Sequence, residues 1–304
     1  MAMEYRVLGR TGERVSAIGI GGAHAGRAAT AEEATRIIRT AVDSGITFLD
    51  NCWDYGNGEA EIRMGNALRD GYRTKVFLMT KIDGHYADVA AQQIDQSLQR
   101  LQTDVIDLMQ IHEVIRPDDP DKIFAPGGTM EALLAARQAG KIRYIGFTGH
   151  KDPNVHLKAL AKDFSWDTVQ MPLNCLDATT EGFERKVLPV LVDRGIGVLG
   201  MKPLAAGRAV REGVATPEEC LRYALSLPTS VVITGCDTLA IAEQAIRVWQ
   251  SFVPMHPEEM AALRSRAAVR NPEAILEGYK TTVQFDGTTR NPHWLTTASV
   301  VAAG

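Results

Sequence analysis

The chain has 304 residues, 45% of them hydrophobic and 23% charged, with a formal net charge of −4. That balance supplies ample apolar material for a deep core and excludes a general attraction to nucleic acid or anionic lipid; no Lys/Arg run marks a local basic patch. No stretch approaches the ~18 uninterrupted apolar residues of a membrane span, and the opening MAMEYRVLGRTG lacks an apolar signal segment. Cys52, Cys175, Cys220 and Cys236 form no C-x-x-C pair. Neither a disulfide framework nor a metal site is therefore expected, and the expected location is cytoplasmic.

In chain order, residues 1–15 read as a hairpin turning at Gly12, and 16–20 as a strand, with Gly19, Gly21 and Gly22 breaking the pattern at its end. A helix is predicted over 31–44, with Thr30 as its N-cap and Gly45 as its stop. Then come a strand at 46–50, a helix at 59–70, a strand at 75–81, a helix at 88–102 and a strand at 105–112. The rhythm continues with helix 129–140, strand 142–149, helix 153–163, strand 168–174, helix 183–195 and strand 196–204. Helix 217–227, opened by Pro217, strand 230–235 and helix 238–250 complete it. One more helix, 257–268, leads into an irregular tail of mixed aromatic and polar residues. The tail reads either as a packing strap or as a loop over the mouth of the fold.

Short strands, apolar on both sides and separated by single helices, belong to a parallel sheet covered on its outer face. Eight such units over roughly 250 residues predict an α/β fold of the closed (β/α)8 TIM-barrel type. An open doubly wound sheet would carry G-x-G-x-x-G after its first strand; GIGGAH (19–24) has another spacing and no helix start attached. No linker divides the chain. A single domain over 1–304 is expected: a hairpin at 1–15, a barrel at 16–250, and a C-terminal helix and tail at 251–304 that extend over the barrel.

Barrel enzymes place their chemistry at the C-terminal ends of the strands. Those ends bring forward Asp50, Tyr55 just beyond it, Lys81 and His112. A tyrosine, with an ordinary pKa of about 10, needs tuning to exchange protons near neutrality. A neighbouring lysine favours the phenolate, and a carboxylate keeps that lysine charged and oriented. A histidine can orient a carbonyl oxygen by hydrogen bonding. The set predicts a general acid beside a developing alkoxide, which hydride reduction of a carbonyl requires.

GITFLDNCWDYGNGEAEIRMGNAL resembles the aldo-keto reductase signature, in which an aspartate precedes a tyrosine by five residues. VFLMTKI and DVIDLMQIHE resemble the family's lysine and histidine strands, and GKIRYIGFTG and VQMPLN its fifth and sixth. The resemblance runs from about residue 5 to 250. It implies Tyr55 as proton donor, Lys81 and Asp50 as its tuning pair, and His112 as the residue that orients substrate.

The resemblance further implies a nicotinamide cofactor. Thr148-Gly149-His150 stands where the family has Ser-Asn; Gly149 cannot replace the asparagine, and His150 either compensates for it or faces solvent, while Gln170 stands where the family has an amide-binding glutamine. Met201 replaces an aromatic residue that stacks on the nicotinamide. Lys202 and the backbone from Leu204 to Gly207 would cradle the pyrophosphate, with Arg208 joining them or lying at the surface. Gly22, Gly235, Asp237, Glu243 and Gln244 complete the cofactor set. The family favours NADP(H); NAD(H) is the alternative suggested by the absence of Lys and Arg from 234–244.

Trp53, residues 113–128, Asn174 and the tail would wall a pocket for a small carbonyl or alcohol substrate, an aldehyde, ketone or sugar. The function expected is an NAD(P)-dependent oxidoreductase. Two others stay open: a cofactor-binding regulatory subunit with slow turnover, and an aldolase-type barrel using Lys81 as a Schiff-base former. Oligomeric state is not legible.

Overall fold

The computed structural model describes residues 4–296. Strands Tyr5–Val7 (β1) and Arg14–Ser16 (β2) form the antiparallel hairpin, with Gly12 left-handed in its turn. Ile18–Gly21 (β3) follows, and then at once a single helical turn, Gly22–Ala25 (α1). The expectation that no helix starts after GIGGAH is thus corrected. The turn closes through Gly26 N onto Gly22 O (2.7 Å), and it is too short for its periodicity to show in sequence.

Ala31–Asp43 (α2), Phe48–Asp50 (β4), Glu59–Ala67 (α3), Phe77–Ile82 (β5), Ala87–Leu101 (α4) and Ile106–Ile111 (β6) come next. Two helices, Asp119–Phe124 (α5) and Thr129–Gln138 (α6), precede Ile142–Thr148 (β7), Pro153–Leu160 (α7) and Thr168–Pro172 (β8). The predicted helix 183–195 is divided into Phe183–Lys186 (α8) and Leu188–Asp193 (α9). Pro189 is the cause: it has no N–H to return to the preceding turn. Gly197–Met201 (β9), Arg208–Arg211 (α10), Pro217–Ser226 (α11), Val231–Gly235 (β10) and Leu239–Gln250 (α12) close the circuit. Strands β3 to β10 are all parallel and form a closed barrel in sequence order, β10 pairing back onto β3.

Local chemistry explains the elements. In α2 the Thr30 hydroxyl accepts from Glu33 N (3.1 Å), and Ala34, Ile37, Ile38, Ala41 and Val42 form one buried stripe. Strands β5 and β6 are buried at all positions, as strands covered on both faces must be. Inside the barrel, Phe48, Phe77, Met79, Leu108, Leu199, Val231 and Ile233 pack with Leu8 and Val15 of the hairpin, which plugs the lower end. Gly9 is required there: its φ is +51°, and a Cβ would fall 2.2 Å from Gly197 N.

After Pro257–Arg270 (α13) the tail makes two further single turns, Gly278–Thr281 (α14) and Gly287–Arg290 (α15). It crosses the C-terminal mouth. Asn174 Nδ2 donates to Tyr279 Oη (3.1 Å), Thr288 Oγ1 donates to Glu113 Oε1 (2.9 Å), and His150 Nε2 lies 3.0 Å from Asp286 Oδ1. Among the described residues no helix is long and apolar enough to cross a membrane.

Candidate active site

Parallel pairing of β4 with β5 and of β5 with β6 sets the ends of three neighbouring strands side by side. Asp50 ends β4, Lys81 is the penultimate residue of β5, and His112 follows β6 directly. Tyr55 returns over them from a tight turn that uses left-handed Gly56 and Asn57. Lys81 Nζ donates to Asp50 Oδ1 (2.5 Å), to the carbonyl of Asn51 (2.7 Å) and to Tyr55 Oη (3.3 Å). The His112 ring stands edge-on to Tyr55, with centroids 6.3 Å apart. The four residues read from strand ends therefore share one site.

Burial opposes charge on Lys81, but Asp50 and the Tyr55 oxygen outweigh it and hold its pKa above the ordinary lysine value. For Tyr55 burial is the largest influence and raises the phenol; Lys81 pulls it back, and the net shift is upward. The net lowering expected from Lys81 alone is corrected by that burial. The free phenol stays protonated, as a proton donor should.

Asp83 was missed, and Glu113 was read only as part of the 113–128 wall. Asp83 Oδ1 lies 2.6 Å from His112 Nδ1, and Glu113 Oε2 lies 3.8 Å from its Nε2. The Cys52 thiol donates to Asp83 Oδ2 (3.8 Å) and also sits 3.6 Å from His112 Nδ1. An acidic residue two positions beyond a strand-end lysine was the available signal for Asp83.

The residues assigned to the cofactor line the same face. Thr148 and Gln170 are register partners on β7 and β8, and Thr148 Oγ1 and Gln170 Oε1 are buried without hydrogen-bond partners. Gln170 Nε2 donates to Asp50 Oδ2 (3.2 Å). Met201 is half-buried at the end of β9. Beyond it Lys202, Ala205, Ala206 and Gly207 all have positive φ, so the turn running past Leu204 is tightly coiled. The Lys202 ammonium lies 5.0 Å from the Phe285 ring centre and 5.7 Å from that of Tyr279. It forms no ion pair among the described residues, and burial, then repulsion from Lys81, brings its pKa down to about 8. Arg208 pairs with Glu212 on α10 (3.2 Å).

His150 is neither solvent-facing nor free to replace the family's asparagine. It is buried and committed to Asp286 of the tail. Gly22 is packed against Asn51, where a Cβ would come within 2.7 Å of the amide, and Gly235 leaves room for the His24 ring. His24 Nδ1 lies 3.9 Å from Asp237 Oδ2, with Arg27 close enough to act on the same imidazole. Burial, then Arg27, holds the His24 imidazole below its ordinary pKa. Glu243 is exposed and Gln244 half-buried on α12.

Trp53 donates through Nε1 to Gln96 (2.7 Å) and meets Trp294 of the tail edge-on at 5.2 Å. Asn174 holds Lys202 O (3.0 Å) as well as Tyr279. Both therefore join the mouth to the tail.

Residues 17–214 match the model of the aldo/keto reductase family. An oxidoreductase of Bacillus subtilis, YrpG, is 33% identical over 229 residues, 67% of this chain and 68% of that protein. L-galactose dehydrogenase of Arabidopsis thaliana is 31% identical over 224 residues, 69% of this chain and 68% of that one. In fold, the chain is similar to the aldo-keto reductase AKR11C1 of Bacillus halodurans in its holo form. That TM-score is 0.73 at 24% identity, covering 90% of this chain and 99% of that structure. An aldo-keto reductase of Klebsiella pneumoniae in complex with NADPH is similar at TM-score 0.70 and 22% identity, covering 88% and 96%. With the barrel, the family match over most of its length and these relatives agreeing, the chain belongs to the aldo/keto reductase family and is an NAD(P)-dependent oxidoreductase.

Proposed function

We propose that the protein reduces an aldehyde, ketone or sugar carbonyl to the alcohol, or runs the reverse, with NADP(H) as cofactor and Tyr55 as the proton donor and acceptor. The observation that carries this reading is the chain from buried Asp50 and Lys81 to half-buried Tyr55, with His112 beside it. Tyr55 Oη offers its proton to a substrate oxygen, and the phenolate left behind is stabilised by Lys81, whose charge Asp50 maintains. His112 orients that oxygen. Trp53 and Asn174 help to wall the substrate's place beneath the tail.

The residues present fit a nicotinamide cofactor. Thr148 Oγ1 and Gln170 Oε1 are unpartnered buried groups on adjacent strands, a polar seat that a carboxamide would fill. Lys202, without a carboxylate, suits a pyrophosphate with the turn Leu204–Gly207, and Met201 suits a ring face. Gly22, Gly235, Glu243 and Gln244 would border the rest. When bound, the nicotinamide supplies or takes the hydride. Gln170 links the two halves of the site, since its amide nitrogen holds Asp50 while its oxygen remains for the cofactor.

Arg27, close enough to act on the His24 ring that lies beside Asp237, is a cation near 234–244 that favours NADP(H) over NAD(H), and the Klebsiella relative holds NADPH in its complex. A Schiff-base role for Lys81 is disfavoured, because its ammonium already donates to three acceptors. The test is oxidation of NADPH and NADH, assayed in parallel over aldehydes, ketones and aldoses. Turnover with preference for NADPH is expected. Preference for NADH would overturn the cofactor assignment, and tight cofactor binding without turnover in either direction would favour the regulatory-subunit reading.

A further inference from the structure

His112 sits between two carboxylates that no strand-end pattern announces. Asp83, just past the end of β5, is fully buried, and its backbone is gripped by the side chain of Gln93 on α4. Gln93 Oε1 accepts from both Asp83 N and Gly84 N at 2.8 Å. The carboxylate is thereby aimed at His112, with Oδ1 2.6 Å from Nδ1. Its other oxygen accepts from the Cys52 thiol. Across the ring, Glu113 Oε2 is buried, has no hydrogen-bond partner and lies 3.8 Å from Nε2. The two flanking carboxylates favour retention of its proton, against burial.

We propose that Asp83 is a positioning residue for carbonyl reduction: it accepts the Nδ1 proton of His112, fixes the ring, and keeps His112 a charged donor whose Nε2–H is presented to the substrate oxygen. The proposal rests on the reading above that His112 orients that oxygen. A neutral imidazole that donates its Nδ1–H to the Asp83 carboxylate would offer Nε2 only as an acceptor, which a carbonyl oxygen cannot use. An imidazolium offers a donor at both nitrogens. Tyr55 then transfers its proton to an oxygen already polarised by a second, charged hydrogen bond, while His112 keeps both of its own.

The electrostatics agree with the geometry. Burial lowers the basicity of His112, but Asp83 and then Glu113 more than offset this, raising its pKa to about 9. Burial raises Asp83 itself to about 7, with His112 as the main opposing influence. Other titratable groups acting on the ring include Tyr55, Cys52, Asp54, His150 and His85. Two lysines stand one group away, Lys81 on Tyr55 and Lys202 on Glu113 and His150.

The experiment compares wild type with Asp83→Asn, which keeps the shape, and Asp83→Glu, which keeps the charge. Each is read by the pH profile of kcat/KM at saturating NADPH and by nitrogen NMR of the His112 ring, assigned through His112→Gln. In the wild type the ring should titrate near the value of about 9 and the alkaline limb of kcat/KM should follow it. In Asp83→Asn the ring should titrate at least about 2 pH units lower. Its kcat/KM at about pH 8 should fall roughly tenfold or more, recovering most of that at about pH 6, with KM for NADPH unchanged. Asp83→Glu should return the profile toward wild type. An Asp83→Asn ring still charged at about pH 8, or an equal loss at every pH, would overturn the proposal. A wild type that reduces no carbonyl would defeat the reductase reading, yet the ring titration would still decide whether Asp83 holds the charge.

Discussion

Thr148 Oγ1 and Gln170 Oε1 are polar atoms buried without partners, a costly arrangement unless something else supplies the missing bonds. Thr148→Val should therefore leave the thermal midpoint of the free protein unchanged or higher, while weakening NADPH binding by about two- to tenfold. Calorimetry and fluorescence titration on one sample check both; a destabilised free protein with unaltered affinity would show the hydroxyl to be structural. Lys202 tells of the same cofactor through its proton. With a pKa of about 8 it is partly neutral in mild alkali. A pyrophosphate beside it would restore the charge, so binding at about pH 8.5 should take up protons. Isothermal titration in two buffers of different ionisation enthalpy measures that uptake, and equal heats in both would contradict the assignment. At this scale Asp50, Tyr55, Lys81 and His112 were legible because a strand end fixes where a side chain goes. Asp83 and Glu113 were not, since their roles depend on how a loop turns. Nor was His24, which reaches Asp237 only because the barrel closes β10 onto β3.

Among the elements, the tail is anchored by buried charge. Lys280 Nζ donates to Asp177 Oδ1 (2.6 Å) and lies 2.7 Å from Glu277 Oε1, and both carboxylates are fully buried. Lys280→Met would strand two anions and should cost ~3–5 kcal/mol, read as a lower urea midpoint. A loss below ~1 kcal/mol would mean that the tail detaches without cost to the barrel. The larger elements were legible from periodicity, and α2 also from its Thr30 cap; the structure adds Thr216 and Thr238, whose side chains likewise accept from a backbone N–H in the first turn of their helices. Single turns such as α1, α10, α14 and α15 are shorter than the pattern that would reveal them. The break between α8 and α9 had its signal in Pro189, and the helical spacing around it hid the break. That the tail crosses the mouth could not be read from composition. It follows from bonds such as Thr288 to Glu113, which join residues far apart in sequence.

For the whole molecule, we propose that barrel and tail form one domain. The buried pairs Asp286–His150 and Asp177–Lys280 tie them together. A single transition, coincident by circular dichroism and tryptophan fluorescence, is expected on unfolding; two separated transitions would refute it. The pH dependence of that transition follows from His85, His150 and His156, each brought down by burial to about 4. Their folded values lie below the unfolded one of about 6.5. Between the two the unfolded chain binds more protons, so their contribution is present above that range and is lost as pH falls through it. Urea midpoints should therefore decline from about pH 7 to about pH 4.5, and a flat profile would show that these histidines become charged in place. The closed barrel itself was legible, because eight repeats of strand and helix admit few other solutions.

The most direct test of the account is Tyr55→Phe, assayed for carbonyl reduction and, on the same protein, for NADPH binding. The account predicts that turnover falls by about 10²- to 10⁴-fold. NADPH affinity should stay near wild type, since Tyr55 belongs to the proton chain and not to the cofactor's seat. Turnover retained within a few-fold would contradict the account, because another group would then be delivering the proton.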